Sequence, residues 1–236
     1  MNLKYKILAV LAAGIALTAC GGSGAPASAP ASSVVPASSH VAEEGVTEPI
    51  NLRTWTLDDL DDTQTTTFVS ASITSGVQNG KLTAKVFGYD IYKKEEIEKL
   101  AVGDKIAFHE EGAAQDQCVT TEVKSIERND QHHFVSINDG IEAGGVELTL
   151  DHDVYRTVTF DDYPVYYEMG EVTLPLAGGV TLSDSSADPQ ASAVETDGAD
   201  AVAEAVNAEP DGWMPNNTLV FTEDGTISSI VRIWVP

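Results

Sequence analysis

Residues 67–88 read TFVSASITSGVQNGKLTAKVFG, and they contain two runs in which apolar and polar residues alternate. The runs are separated by Asn79-Gly80, a dipeptide that strongly favours a two-residue β-hairpin turn. In a strand, alternate residues lie on the same face. The stretch therefore predicts an antiparallel hairpin with one buried face, formed by Val69, Ala71 and Ile73 on the first strand and by Leu82, Ala84 and Val86 on the second.

The same period of two dominates the chain from residue 51 onward. Alternating runs recur about every ten residues and are separated by turn signals such as Gly144-Gly145 and Asp224-Gly225. Short antiparallel strands at this spacing are typical of sandwiches and barrels. We therefore predict that residues 51–236 form a mostly β domain, an antiparallel, partly open barrel or sandwich.

One segment breaks this period and predicts a short helix near 93–100. Ile97 and Leu100 fall on one stripe of such a helix, and Asp90 is placed to cap its N-terminus. The residues from Leu100 to Ile106 read LAVGDKI, which is similar to strand entries in OB-like and SH3-like barrels. This resemblance implies an OB-like architecture for the domain.

Residues 183–212 differ from the rest of the domain in composition. They carry eight acids and no Lys or Arg, mixed with Ser, Ala and Gly. A helix over 199–208 would be too short to persist by itself. We therefore expect an acidic, flexible insertion between two late strands.

The first 19 residues have the layout of a secretory signal, with two lysines before an apolar run of eleven residues. As a helix this run rises about 16 Å, well short of a hydrocarbon core of roughly 30 Å. It closes on Leu17-Thr18-Ala19-Cys20, which resembles the lipobox of bacterial lipoproteins. The resemblance implies a signal peptide over 1–19 and diacyl lipid, with palmitate-type chains, on Cys20. The alternative is ordinary secretion with cleavage near Ala19.

Residues 20–50 are dominated by Gly, Ala, Ser and Pro and read as a tether. A flexible segment of this length has an end-to-end distance of roughly 30 Å. Two acyl chains anchor a protein stably, whereas one chain binds only marginally. We therefore expect a membrane partner through the lipid and a location on the extracytoplasmic face of a bacterial cell membrane.

The charge balance limits the partners that this domain can have. The chain carries 37 acidic and 13 basic residues, for a formal net charge of -24, and two of the lysines lie in the leader. Such a surface repels phosphate backbones, so we expect no nucleic-acid partner. Neutral sugars, cations and basic protein patches remain, and a negative charge also serves solubility.

No local motif indicates catalysis. The chain lacks a G-x-S-x-G nucleophile, a phosphate-binding glycine loop and a dinucleotide fingerprint. Cys118 follows Gln115-Asp116-Gln117, which supplies no cation to activate a thiol, and lipid on Cys20 would leave it without a disulfide partner. Neither the acidic pairs nor the histidines have metal-ligand spacing. We assign no catalytic residue, no metal ligand and no cofactor.

Aromatic residues give the one indication of a binding surface. In the strand predicted over 165–174, the period of two places Tyr166 opposite the core face, and Trp234 falls opposite Val231, Ile233 and Val235. Exposed aromatic rings beside carboxylates suit neutral sugars or peptides. The alternative is that they pack on a second face of the domain. The candidate ligand-binding residues are Tyr166, Trp213 and Trp234.

These observations favour a non-enzymatic binding or interaction module that recognises a glycan, a peptide or an envelope protein. An alternative is a small envelope hydrolase whose carboxylates converge in space. A further alternative is an accessory subunit that docks on a membrane complex.

Overall fold

The computed structural model describes residues 45–50, 56–61, 66–129, 131–190 and 192–236. The predicted signal peptide, Cys20 and most of the predicted tether lie outside the described residues. Within the described ranges, no helix has the length and apolar character needed to cross a membrane.

Most of the described residues lie in strands, as predicted. Two short 3-10 turns occupy Leu57–Asp61 and Ile141–Ala143. The strands and α-helices, in chain order, are β1 (Val46–Thr47), β2 (Thr66–Gln78), β3 (Lys81–Tyr89), β4 (Ile91–Lys93), α1 (Lys94–Lys99), β5 (Lys105–His109), β6 (Cys118–Glu122), β7 (Ile126–Asn129), β8 (Phe134–Ile137), β9 (Val146–Asp151), β10 (Val154–Thr157), β11 (Tyr166–Asp184), β12 (Val194–Asp197), α2 (Ala199–Ala208), β13 (Thr218–Glu223) and β14 (Thr226–Arg232).

Five strands form an OB-like, partly open barrel. The strands pair in the order β3, β11, β14, β13 and β2, and β2 in turn pairs with β3. The long strand β11 pairs with β3 through its first half and with β14 through its second half. Tyr166 to Pro175 pair antiparallel with β3, whereas Leu176 to Asp184 pair parallel with β14. With α2 lying between the third and fourth barrel strands in the chain, the arrangement is a five-stranded Greek-key barrel of the OB type.

The barrel is filled by the alternate residues of its strands. The predicted buried face of the β2–β3 hairpin is confirmed, because its six apolar residues are at most 6% exposed. They pack with residues of the other strands and of α2 in one cluster. Burial of this apolar surface, at roughly 25 cal/mol per Å², is the main stabilising contribution to the barrel.

The hairpin contains an irregularity that sets its register. Gln78 pairs with Lys81 across the turn, but the register shifts between Ile73 and Val77. Gly76 lies in this bulge with φ +62°, and a Cβ there would come within 2.3 Å of Oδ1 of Asn207. The Asn207 side chain accepts a hydrogen bond from N of Val77 and donates one to its carbonyl oxygen, at 2.8 and 3.0 Å. An α2 side chain thus holds the bulge.

Residues 90–165 form an insertion between the second and third barrel strands. The insertion forms a five-stranded sheet, β4-β10-β9-β8-β7. Its strands β5 and β6 form a three-stranded sheet together with β1, which precedes the barrel in the chain. The sheets enclose a second apolar core formed by Tyr92, Ile97, Leu100, Ile106, Phe108, Val123, Val135, Ile137, Val146, Leu148 and Tyr155.

The predicted helix near 93–100 is confirmed as α1, and both residues of its expected buried stripe, Ile97 and Leu100, are buried. The predicted cap is wrong. Lys93 occupies the N-cap position without a side-chain cap, and Asp90 lies in the interior with 2% exposure. A short polar residue before a helix indicates a cap only when no tertiary partner competes for it.

Two boundaries differ from the sequence prediction. The segment 183–212, expected as a flexible insertion, contains β12 and α2, and α2 packs Val202 and Val206 into the barrel core at 0% exposure. A helix of ten residues is marginal alone, but here its apolar face is buried against the sheet. The end of the predicted tether, 20–50, also belongs to the domain, because β1 pairs in parallel with β5.

Candidate functional site

The outer face of the barrel carries a row of aromatic side chains that crosses four strands. Phe68 of β2 lies opposite Phe221 of β13, with ring centroids 5.4 Å apart. Tyr89 of β3 lies opposite Tyr166 of β11, edge to face at 6.0 Å. Because Ser70 pairs with Phe87, the continued register places Phe68 opposite Tyr89. We call Phe221, Phe68, Tyr89 and Tyr166 the aromatic row.

The row is accessible to a ligand. Phe68 is 57% exposed and Tyr89 37% exposed, whereas Tyr166 and Phe221 are half-buried. With strands about 4.8 Å apart, a row over four strands extends roughly 14 Å. Large aromatic area in one place is costly to leave in water, so a contiguous exposed patch of this kind marks a binding surface more often than a scattered residue does.

Polar groups flank the row on the same sheet. Nζ of Lys85 contacts Oε2 of Glu168 at 2.8 Å, and this hydrogen bond, with the carboxylate charge, raises the pKa of Lys85. Burial raises the pKa of Tyr166, and a hydrogen bond with Ser70 opposes the change. Thr83 and Thr173 share a hydroxyl–hydroxyl hydrogen bond of 2.8 Å. The surface therefore combines aromatic faces with hydroxyl, carboxylate and ammonium groups.

The insertion begins and ends beside this surface. Tyr89 is the last residue before the insertion and Tyr166 the first residue of the strand after it, so their ring contact lies at its base. The β5–β6 loop runs along β11, where N of Gly112 donates to O of Tyr166 at 2.8 Å and N of Gln115 donates to O of Glu168 at 2.9 Å. The row therefore lies where barrel and insertion meet.

Trp213, one of the three predicted ligand-binding residues, is not on the surface. It is 4% exposed and packs in the barrel core. Its Nε1 donates to the carbonyl oxygen of Glu209 at 2.6 Å, and the guanidinium of Arg232 lies 4.1 Å from its ring centroid. The ring is enclosed by a cation–π contact within the protein, so it is unavailable to a ligand.

Arg232 connects three elements at this end of the barrel. It is 4% exposed, and its guanidinium contacts the carboxylates of Asp184, at the end of β11, and Glu209, at the end of α2. Burial alone would raise the pKa of Asp184, but hydrogen bonds from Arg232 and Ser186 outweigh it, and the pKa of this carboxyl is lowered. The cluster is a structural ion pair.

Trp234 is 40% exposed, but the predicted pattern around it is wrong. The buried residues of β14 near its end are Ile230 and Arg232, not Val231 and Ile233, and the strand ends at Arg232. An ion-paired arginine occupies the inward position that an apolar residue was expected to fill. Because β14 is parallel to β11, Trp234 follows the end of β11 opposite to Tyr166.

Asp90 and His109 form a buried polar pair with several hydrogen-bond contacts. Nδ1 of His109 lies 2.8 Å from Oδ1 of Asp90, and the backbone N of His109 donates to Oδ2 at 2.6 Å. Nε2 lies 3.0 Å from the carbonyl oxygen of Gln115, and the ring stacks on Tyr167 with centroids 4.0 Å apart. Both ring nitrogens therefore face oxygen atoms, Oδ1 of Asp90 and the carbonyl oxygen of Gln115.

Cys118 lies beside this pair, yet the arrangement is not that of a catalytic thiol. Cys118 is the register partner of His109 across β5 and β6. The two ring nitrogens of His109 are directed at Asp90 and Gln115. Burial, with the charges of Asp90 and Glu48, raises the pKa of Cys118 to about 11. The thiol is therefore protonated at neutral pH.

Among the described residues, no group of three or more His, Cys, Asp or Glu side chains is placed to hold a metal ion. A scan against protein-family models, a search of curated proteins and a search of solved structures found no match to this chain.

Tyr166 is the predicted site residue that lies in the aromatic row. Sequence reasoning missed the other three, although Phe68 and Tyr89 are out of phase with the buried residues of their strands.

Proposed function

We propose that the chain is a lipid-anchored protein of the extracytoplasmic membrane face, and that its β domain binds a neutral glycan at the aromatic row without catalysing a reaction. The observation that carries the glycan proposal is the row itself, four aromatic side chains side by side across four barrel strands. Aromatic rings present flat apolar faces to sugar rings, and the neighbouring carboxylate and hydroxyl groups accept or donate hydrogen bonds.

The charge of the domain supports a neutral ligand over an anionic one. The net charge of -24 disfavours phosphate-rich and acidic polymers at long range. Next to the row, the one ammonium group of Lys85 is neutralised by Glu168. The strand 2–3 face of OB barrels is used for oligosaccharides and oligonucleotides, and this fold-level analogy also supports a ligand there.

Two features support a non-enzymatic role. The hydrolase alternative requires a carboxyl whose pKa is raised so that it acts as an acid. Asp184, which converges with Glu209, has a lowered pKa and shares Arg232 with it. The ring nitrogens of His109 are directed at Asp90 and Gln115, and burial raises the pKa of the Cys118 thiol to about 11.

The glycan proposal is tested by calorimetry on the purified full chain in mild detergent, with chitohexaose as the neutral probe. Phe68→Ser should weaken binding on the order of tenfold, because it removes the most exposed ring of the row. Trp234→Ser is the matched control, since it removes an exposed ring near the other end of β11. Failure of chitohexaose to bind, or equal weakening by the two variants, contradicts the proposal.

The anchor is tested separately by metabolic labelling with an alkyne analogue of palmitate and by detergent phase partitioning. We expect the wild-type chain and Cys118→Ser to be labelled and to enter the detergent phase. Cys20→Ser should lose both properties. A Cys20→Ser chain that is still labelled, or a wild-type chain that is not, would show that the anchor is wrong while leaving the glycan proposal intact.

A further inference from the structure

A cleft of about 370 Å³ lies on the inserted five-stranded sheet, beside α1. Its volume falls at the lower end of the range for small-molecule pockets. Apolar side chains from three strands contribute to its lining, among them Val135 at 2% and Tyr155 at 7% exposure. Leu150 is partly exposed, so the cleft has a small apolar floor above a packed interior.

Three basic side chains surround this apolar surface. Lys94 comes from α1, Arg128 from β7, and His133 from the turn before β8. The chain has only 13 Lys and Arg residues against 37 acidic residues, so a small cleft lined by two of them is more basic than the molecule as a whole. Glu98 is the one acid that lines it, and it pairs with Lys94 at 3.6 Å.

Arg128 is held in position by the C-terminal end of α1. Its Nη2 donates to the carbonyl oxygens of Ile97 and Leu100, at 3.0 and 2.6 Å. Nη2 donates both bonds, and the Arg128 side chain as a whole is exposed. A guanidinium fixed in this way binds a carboxylate with little loss of side-chain entropy.

The geometry points to a second binding site, in this cleft, for a small organic carboxylate with an apolar body. The carboxylate lies at Arg128, beside the Lys94–Glu98 pair, and the apolar body contacts Leu150 above the buried side chains of Val135 and Tyr155. The site is separate from the aromatic row in both position and charge, because the row is suited to a neutral ligand. Its existence does not depend on the proposed glycan function.

The proposal is tested with benzoate and benzamide, which have the same ring and nearly the same shape but differ in charge. Titration of the full chain in mild detergent, followed by calorimetry, should detect benzoate at millimolar concentrations and benzamide at least about tenfold more weakly. Inorganic phosphate should bind more weakly than benzoate, because it has no apolar body. Equal binding of benzoate and benzamide, or no binding of benzoate, overturns the proposal.

Variants locate the site. Lys94→Gln should weaken benzoate binding about threefold to tenfold, as expected for loss of a partly exposed charge partner. Lys93→Gln is the matched control, because Lys93 is the preceding residue and also forms a helical ion pair, with Glu96 at 2.8 Å, but does not line the cleft. Equal effects of the two variants would mean that benzoate responds to the net charge of this region and does not bind in the cleft.

Arg128→Lys provides an independent readout. It keeps the positive charge but removes the planar guanidinium group, so the affinity for benzoate should fall. The midpoint of thermal unfolding is measured on the same variant to check that it is folded. If the variant is destabilised, the Lys94 pair still decides the question. Unchanged benzoate affinity in a folded Arg128→Lys chain overturns the placement of the carboxylate at Arg128.

Discussion

Asp90→Asn tests the buried contact between the first residue of the insertion and the end of β5. Asp90 follows the last barrel residue of β3, and His109 is the last residue of β5 in the inserted sheet. The substitution keeps the size of the side chain and one oxygen acceptor, but it places an amide where a second oxygen stood. The carboxylate that faces both the backbone N and Nδ1 of His109 is then replaced by a group with a single oxygen, and the ring loses its negative partner.

The expected loss follows from burial. Asp90 is 2% exposed and His109 9% exposed, so solvent cannot replace the missing bond. Removing the charged partner of buried hydrogen-bonding groups costs about 1 to 3 kcal/mol and more where charge is involved, so the free energy of unfolding should fall by about 3 kcal/mol. For a domain of this size the midpoint of thermal unfolding should fall by roughly 10 °C.

The measurement is thermal and urea unfolding of the wild-type and Asp90→Asn chains, with Asp116→Asn as the control. Asp116 is an exposed acid of the β5–β6 loop, and its change should stay within about 0.5 kcal/mol. Nitrogen NMR of the His109 ring gives a second readout, because the resonances of Nδ1 and Nε2 should change when the carboxylate is replaced. A loss below about 1 kcal/mol, or ring resonances that do not change, would refute the reasoning.

Three further predictions address packing, reactivity and pH. Val206→Ala should lower the free energy of unfolding by about 2 kcal/mol because the side chain is fully buried, whereas Val194→Ala, 67% exposed, should change it little; equal effects would contradict the packing of α2. In a Cys20→Ser chain, Cys118 should react with iodoacetamide at pH 8 roughly a hundredfold more slowly than an ordinary thiol, because its pKa of about 11 leaves little thiolate; an ordinary rate would contradict this. The lowered pKa of Asp184 stabilises the fold above the unfolded-state pKa, and this contribution is lost as the pH falls through the folded-state pKa. Urea unfolding should therefore show a stability advantage of the wild type over Asp184→Asn at pH 6 that shrinks below about pH 4, and a constant difference would refute it.

The elements that were predicted correctly depend on local patterns. The Asn79-Gly80 turn adopts positive φ at both residues, 53° and 71°, which is what a two-residue hairpin of this type needs. The helix α1 follows from the spacing of Ile97 and Leu100. Such features are determined by residues close in sequence, so a single chain without relatives is sufficient to find them.

Features that depend on distant residues were predicted poorly. The helix α2 is too short to be stable alone, and only its contact with the barrel, through Val202 and Val206, explains its presence. Asp90 and His109 are separated by 19 positions, with Asp90 between β3 and β4 and His109 at the end of β5. Nothing in their local sequence distinguishes a buried hydrogen-bonded pair from a capping residue and a surface histidine.

The aromatic row shows how far a functional surface can depend on one irregularity. An uninterrupted hairpin from Asn79-Gly80, continuing the pairing of Gln78 with Lys81, would place Phe68 beyond the end of β3 rather than opposite Tyr89. The bulge at Gly76 shifts the register by two residues, and a shift of two keeps every side chain on its own face. The buried alternation is therefore unchanged by the bulge, and Gly76 inside the strand is the local sign of it. Because Asn207 of α2 bonds both backbone groups of Val77 there, the helix that sequence reasoning expected to be mobile helps to align the rings on the opposite face of the barrel wall.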